Sequence, residues 1–147
     1  MDTSTGVDGP GTRFVAFLSG CPLRCLYRHN PETWRMREGQ PTIAGDVLDE
    51  AAEYGRFIEV AGGGFTASGG EPLLQPAFTE ALFTGAKEAE LHTAVDTSGL
   101  LGARASDGLL AVTDLVLLDI KSSDRSTYRR LTCRAPHPSS SPRRAWP

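Results

Sequence analysis

Cys21 and Cys25 stand four residues apart in the stretch GCPLRCLYRHNP (20 to 31), and Tyr27, Arg28 and His29 follow them. Two thiols so placed in a loop can present soft, anionic sulfur to one metal group, and soft sulfur selects zinc, copper(I) or iron–sulfur centres. A third soft ligand is expected near position 28, where arginine stands instead. Arginine has five donors, no acceptor and a permanent charge, so it cannot ligate iron. His29 is an adjacent imidazole. Cys133 is the third cysteine of the chain, and nothing in the spacing brings it to the loop. A zinc site from Cys21, Cys25 and His29 with Cys133 or His137 is chemically permissible, but the spacing is no familiar finger. Three cysteines, two of them in a tight pair, fit a reducing compartment and a metal or cofactor role better than a disulfide framework.

Three further stretches carry polar or glycine-rich chemistry: SGGEP (68 to 72), DTSG (96 to 99) and the Asp119 to Lys121 step. Glycines allow close backbone approach, Glu71 offers an anionic acceptor, and hard carboxylates such as Asp96 and Asp119 suit a cation. A dinucleotide fingerprint is excluded, because GGGFTASGG lacks the required glycine order and no acidic residue is placed for a ribose.

The elements that must position these groups alternate along the chain. TRFVAFLSG (12 to 20) is a short apolar run ended by glycine, the mark of a buried strand. TIAGDVLDEAAEYGRF (42 to 57) predicts one helix with Ile43, Val47, Leu48, Ala51 and Ala52 on a single face, and with Thr42 and Asp46 serving its amino end. GGFTASGG (63 to 70) and LHTAVDTSG (91 to 99) predict strands. PAFTEALFTGAKEAE (76 to 90) predicts a helix opened by proline, with Phe78, Leu82, Phe83 and Ala86 inward. A weaker helical patch covers 101 to 112, DLVLLDIK (114 to 121) predicts a strand, and SSDRSTYRRL (122 to 131) opens another helix. This order points to an α/β fold of parallel strands with crossover helices, a partial (β/α) barrel, with a doubly wound sheet as the competing topology. Each chemistry-bearing stretch directly follows a strand, so the four converge on the carboxyl-end face where ligands bind in such folds.

Net charge is modest at -3, but residues 1 to 124 hold 9 Lys+Arg against 18 Asp+Glu, while 125 to 147 hold 6 Arg and no acid. The tail CRAPHPSSSPRRAWP has no apolar period and reads as disordered, so residues 1 to 132 form the expected domain and 133 to 147 the tail. So short a basic run without interleaved aromatics is a weak electrostatic footprint, and no nucleic-acid partner is expected. No membrane partner is expected either: the longest apolar run cannot cross a bilayer, and the amino end has no signal-peptide pattern. The expected location is the cytoplasm.

Taken together, TGVDGPGTRFVAFLSGCPLRCLYRHNPETW, GGGFTASGGEPLLQP, HTAVDTSG and DLVLLDIK resemble the radical S-adenosylmethionine proteins that activate glycyl-radical enzymes. Four motifs match in order, from about residue 5 to 132, and the combination is far more specific than any one of them. The resemblance implies a loop of form CxxxCxxC whose thiolates hold a 4Fe-4S cluster while S-adenosylmethionine chelates the open iron. Cys21 and Cys25 match the first two positions and Arg28 stands at the third.

The same resemblance carries the remaining site residues one by one. Gly69, Gly70 and Glu71 match the segment that receives the amino group of the methionyl moiety. Asp96 and Asp119 match carboxylates that gather a monovalent cation, with Thr97 and the Leu117 backbone assisting. Ile120 and Lys121 match a cofactor-contacting step, Tyr27 matches the aromatic beside the adenine, and His29 is counted with the cofactor contacts. Asp8 matches a residue that touches the partner's glycyl loop. The implied activity is generation of a glycyl radical on a partner such as pyruvate formate-lyase, with a flavodoxin or ferredoxin type electron donor. The alternative is a degenerate, truncated, non-catalytic member, because Arg28 removes a ligand and the sequence turns to Pro, Ser and Arg where the family continues through further β/α units. An unpaired apolar strand edge is expected on that side.

Overall fold

The computed structural model of the chain describes residues 2–5, 8–27 and 31–133. Arg28, His29 and residues 134–147 of the expected tail lie outside the described residues.

Among the described residues five strands form one sheet in sequence order: β1 (Asp2–Thr5), β2 (Thr12–Leu18), β3 (Gly64–Gly69), β4 (His92–Thr97) and β5 (Leu115–Leu118). The last four are parallel, and β1 runs antiparallel to β2 with Asp2 opposite Val15. The sheet does not close, so the architecture is the expected open portion of a β/α barrel. β1 was not expected, because DTST offers neither apolar content nor alternation; its pairing comes from the neighbouring strand.

Helices α1 (Ala44–Glu53), α2 (Gly55–Val60), α3 (Pro76–Glu88) and α4 (Asp107–Ala111) complete the crossovers, and α5 (Arg125–Thr132) follows β5. Alternation divides the parallel strands. Phe14, Ala16, Leu18, Phe65, Ala67 and Val95 pack outward on Val47, Ala51, Ile58, Leu82, Phe83 and Ala86 of the helices. Arg13, Val15, Thr66, Ser68, Ala94 and Asp96 take the other face. The one helix expected over 42 to 57 is broken at Tyr54. Its amino end is Ile43, 67% exposed and without a side-chain cap, so Thr42 does not cap it, while Asp46 stands as expected in the first turn, where an acid favours the helix dipole. The weak patch at 101 to 112 resolves into a 3-10 turn (Gly102–Arg104) and α4, whose cap Ser106 accepts from Leu109 N at 3.0 Å. Asp124 caps α5, accepting from Thr127 N at 2.8 Å. Among the described residues β5 pairs on one side only, with all four of its residues half-buried.

Candidate functional site

The carboxyl ends of the parallel strands open on one cleft of about 310 Å³. The loop after β2 contributes Cys21, Cys25 and Tyr27; β3 and its exit contribute Ser68, Gly69 and Gly70. Asp96, Thr97 and Ser98 come from β4, and Asp119 and Lys121 from the chain after β5. Four separate sequence segments therefore meet at one opening.

The cysteine loop is held on three sides by backbone hydrogen bonds. Gly20 N donates to Thr33 O at 2.8 Å and Cys21 N to Trp34 O at 3.1 Å. Gly70 N donates to Leu18 O at 2.6 Å and Glu71 N to Gly20 O at 2.8 Å, which joins the SGGEP turn to the root of the loop. A side chain at Gly70 would collide with the Gly20 carbonyl, and Gly69 has φ +95°, so glycine is required at both. The third side is α5: Arg24 N donates to Thr132 O and Leu26 N to Leu131 O, both at 3.0 Å. Cys133, far away in sequence, thus follows a residue paired to the loop, although its side chain is exposed.

The charges in the cleft are incompletely balanced. Asp96 accepts from Ser68 Oγ at 2.7 Å. Burial pushes its carboxyl above the ordinary aspartate value; the Ser68 bond opposes this, and the charges of Asp119 and Asp8 add to it. Lys121 pairs with Asp119 and lies 5.5 Å from the centre of the Tyr27 ring. Burial acts to lower the Lys121 ammonium, yet the bond to Asp119 holds it above its usual value.

Three expected site residues stand elsewhere. Glu71 is 1% exposed, and its carboxylate accepts from Thr97 Oγ1 and Ser98 Oγ at 2.6 Å, Ser98 N at 3.1 Å and Leu73 N at 3.2 Å. It is a latch between the β3 and β4 exits, beneath the cleft. Ile120 is exposed and does not line it. Asp8 lies over the inner face of the sheet, where its carbonyl accepts from Thr66 Oγ1 at 2.8 Å. His29 lies outside the described residues. Sequence reasoning missed Ser68 and Ser98; polar Thr66 and Ser68 two apart in an otherwise buried strand were the available signal.

Cys21 and Cys25 are both buried and pack with Leu23, Leu100 and Trp34. Two buried thiols at the edge of the cleft suit a thiolate-bound metal group. Among the described residues no three Cys, His, Asp or Glu side chains gather as a metal-holding set, and Arg28 supplies no ligand atom. The donor set is therefore one thiolate short of a cluster held by three cysteines.

A parallel β/α sheet with a cysteine loop and paired carboxylates at its carboxyl ends defines a class of cofactor-binding proteins. Residues 7–136 match the model of the 4Fe-4S single cluster domain, and the chain belongs to that family. It is 44% identical over 144 residues to the pyruvate formate-lyase-activating enzyme of Listeria monocytogenes, covering 94% of this chain and 58% of that protein. The Staphylococcus aureus pyruvate formate-lyase-activating enzyme is 45% identical over 133 residues, 86% of this chain and 53% of its own length. The pyruvate formate-lyase 1-activating enzyme of Escherichia coli is 42% identical over 127 residues, 85% and 52%. The motif-based resemblance to activating enzymes is thus met by whole-chain similarity, and the chain spans little more than half the length of these relatives. Among the described residues no helix is long and apolar enough to cross a membrane.

Proposed function

We propose that this chain is the S-adenosylmethionine-binding part of a glycyl-radical activating enzyme serving a pyruvate formate-lyase type partner, with residues 1 to 132 as its domain. The observation that carries this reading is the convergence of four separate motif segments on a single cleft of about 310 Å³. In this reading Tyr27 lies beside the adenine, and the backbone of Gly69 and Gly70 receives the amino group. Asp96 and Asp119 hold the polar end of the ligand together with a monovalent cation. Lys121, now on Asp119, turns toward the carboxylate, with Ile120 at the rim; His29 is counted with the cofactor contacts on the resemblance alone. Glu71 acts indirectly, by fixing the Thr97–Ser98 turn. Asp8 faces the partner's glycyl loop, and a flavodoxin or ferredoxin type protein supplies electrons.

The chemistry that a 4Fe-4S cluster supplies when bound is one electron for reductive cleavage of S-adenosylmethionine, and through it hydrogen abstraction from a glycine Cα. The residues of this chain bind and orient the sulfonium ligand and keep water from it, with Phe17 and Leu23 as the apolar walls.

Arg28 favours a second reading, in which the ligand cleft is kept and the cluster is not. Iron and sulfide content of anaerobically purified full chain decides between them. The second reading predicts little iron in the unaltered chain and a stable brown cluster in Arg28→Cys. A full cluster in the unaltered chain removes the second reading; failure of both proteins to bind iron assigns the defect to something other than position 28.

A further inference from the structure

Residues 8–11, the turn DGPG that leads into β2, are fastened to the inner face of the sheet by two side chains with no exposed surface, Arg13 and Thr66. Thr66 Oγ1 donates to Asp8 O at 2.8 Å, and Arg13 Nη1 donates to Pro10 O at 3.2 Å. Arg13 Nε donates to Thr66 Oγ1 at 2.6 Å. A guanidinium nitrogen has no acceptor capacity, so the single proton of the hydroxyl is left for the Asp8 carbonyl. The arginine thereby fixes which way the threonine bonds. Gly9 completes the fit: its φ is +121°, and a Cβ there would stand 2.8 Å from Arg13 Cδ.

Thr66 and Ser68 are two apart on β3, so they share a face of the sheet and lie about 7 Å from each other along the strand. Ser68 lines the ligand cleft and bonds Asp96. The turn is thus fixed two residues to the amino side of the cleft, with Asp8 and Gly9 half-buried and Pro10 exposed.

We propose that Arg13 and Thr66 are positioning residues for Asp8, holding its turn where a glycyl-loop peptide lying on the inner face beside the cleft meets it. This rests on the reading of Asp8 as the partner-facing residue. With no exposed surface, neither side chain meets the peptide itself. They act through the turn, and their effect falls on the peptide and not on the sulfonium ligand.

The test uses the full chain with S-adenosylmethionine present and a fluorescent peptide carrying the sequence around the radical glycine of a pyruvate formate-lyase, read by anisotropy. Thr66→Val is expected to bind the peptide about tenfold more weakly, the scale of one lost hydrogen bond, with S-adenosylmethionine affinity unchanged by calorimetry. Thr66→Ser, which keeps the hydroxyl, is expected to restore peptide binding. In an Asp8→Ala background Thr66→Val should cost nothing further, because both changes act on one contact. Gly9→Ala disturbs the same contact from the turn, is expected to weaken the peptide alone, and supplies the measurement if Thr66→Val does not fold. Unchanged peptide affinity in folded Thr66→Val or Gly9→Ala overturns the positioning role. So does an equal loss of both ligands, or a full further loss in the Asp8→Ala background. A parent chain that binds S-adenosylmethionine but no peptide overturns the partner-facing reading of Asp8, and the proposal with it.

Discussion

The two ends of the parallel strands solve opposite problems. At the amino ends, Arg13 has no exposed surface. Its guanidinium donates to Thr66 Oγ1 at 2.6 Å, Phe65 O at 2.9 Å, His92 O at 3.0 Å and Pro10 O at 3.2 Å. Nearby, Asp114 accepts from Lys87 Nζ and Thr93 N, each at 2.8 Å. At the carboxyl ends the half-buried Asp96 accepts one bond, from Ser68 Oγ, and among the described residues the buried Trp34 N–H and Tyr128 hydroxyl meet no hydrogen-bond partner. Polar groups at the foot are answered by the protein; at the mouth Glu71 and the Lys121–Asp119 pair are answered too, while Asp96 has no cationic partner among the described residues. That contrast is what the proposed ligand cleft at the carboxyl ends would require.

Breaking the foot has the largest expected effect. Arg13→Ala strips donors from three carbonyls and a hydroxyl and leaves a void, and urea unfolding should show a loss of about 3 kcal/mol or more. Glu71→Ala is next, at about 2 to 3 kcal/mol, since a buried acceptor of four hydrogen bonds disappears. It should also weaken S-adenosylmethionine binding, because the Thr97–Ser98 turn loses its latch; wild-type affinity in a folded Glu71→Ala chain would remove that link.

The two aspartates sharpen the contrast through pH. Burial alone would raise Asp114, but the bonds from Lys87 and Thr93 hold it down at about 2. Its stabilisation is present above the ordinary aspartate pKa and is lost as pH falls toward 2. Asp96 is raised, so its ionisation penalty is absent below the ordinary aspartate pKa and grows as pH rises through the higher folded value. Asp96→Asn should therefore stabilise the ligand-free chain at neutral pH while weakening S-adenosylmethionine by tenfold or more. Asp114→Asn should flatten only the acid limb of a stability–pH curve. The smallest expected effect is at Cys133, which ends α5 with φ 55° and ψ 24°. Cys133→Gly relieves a left-handed conformation at a helix end and should stabilise by about 1 kcal/mol, read from the urea midpoint.

Much of this architecture was legible because the parallel strands are continuous apolar runs bounded by glycine, and each places its chemistry at its exit. That rule brings the four stretches to one face, whereas the individual residues Tyr27, Gly69, Gly70, Asp96, Asp119 and Lys121, which line the cleft with Cys21 and Cys25, were singled out by the family resemblance. Glu71 did not, because a motif reports that a carboxylate is needed and not which way it points. The tie between α5 and the cysteine loop was hidden as well, since backbone pairing at Arg24 and Leu26 leaves no mark on side-chain type. β1 and the break at Tyr54 depend on neighbours rather than on local pattern.

Hydrogen–deuterium exchange of the full chain with and without S-adenosylmethionine tests most directly whether the mouth, and not the foot, is the ligand end. Added S-adenosylmethionine should slow exchange in residues 19–27, 68–71, 96–99 and 119–121, and leave 12–14, 64–66 and 92–94 unchanged. Slowed exchange around Arg13 and His92, or none anywhere at saturating ligand, would contradict the account.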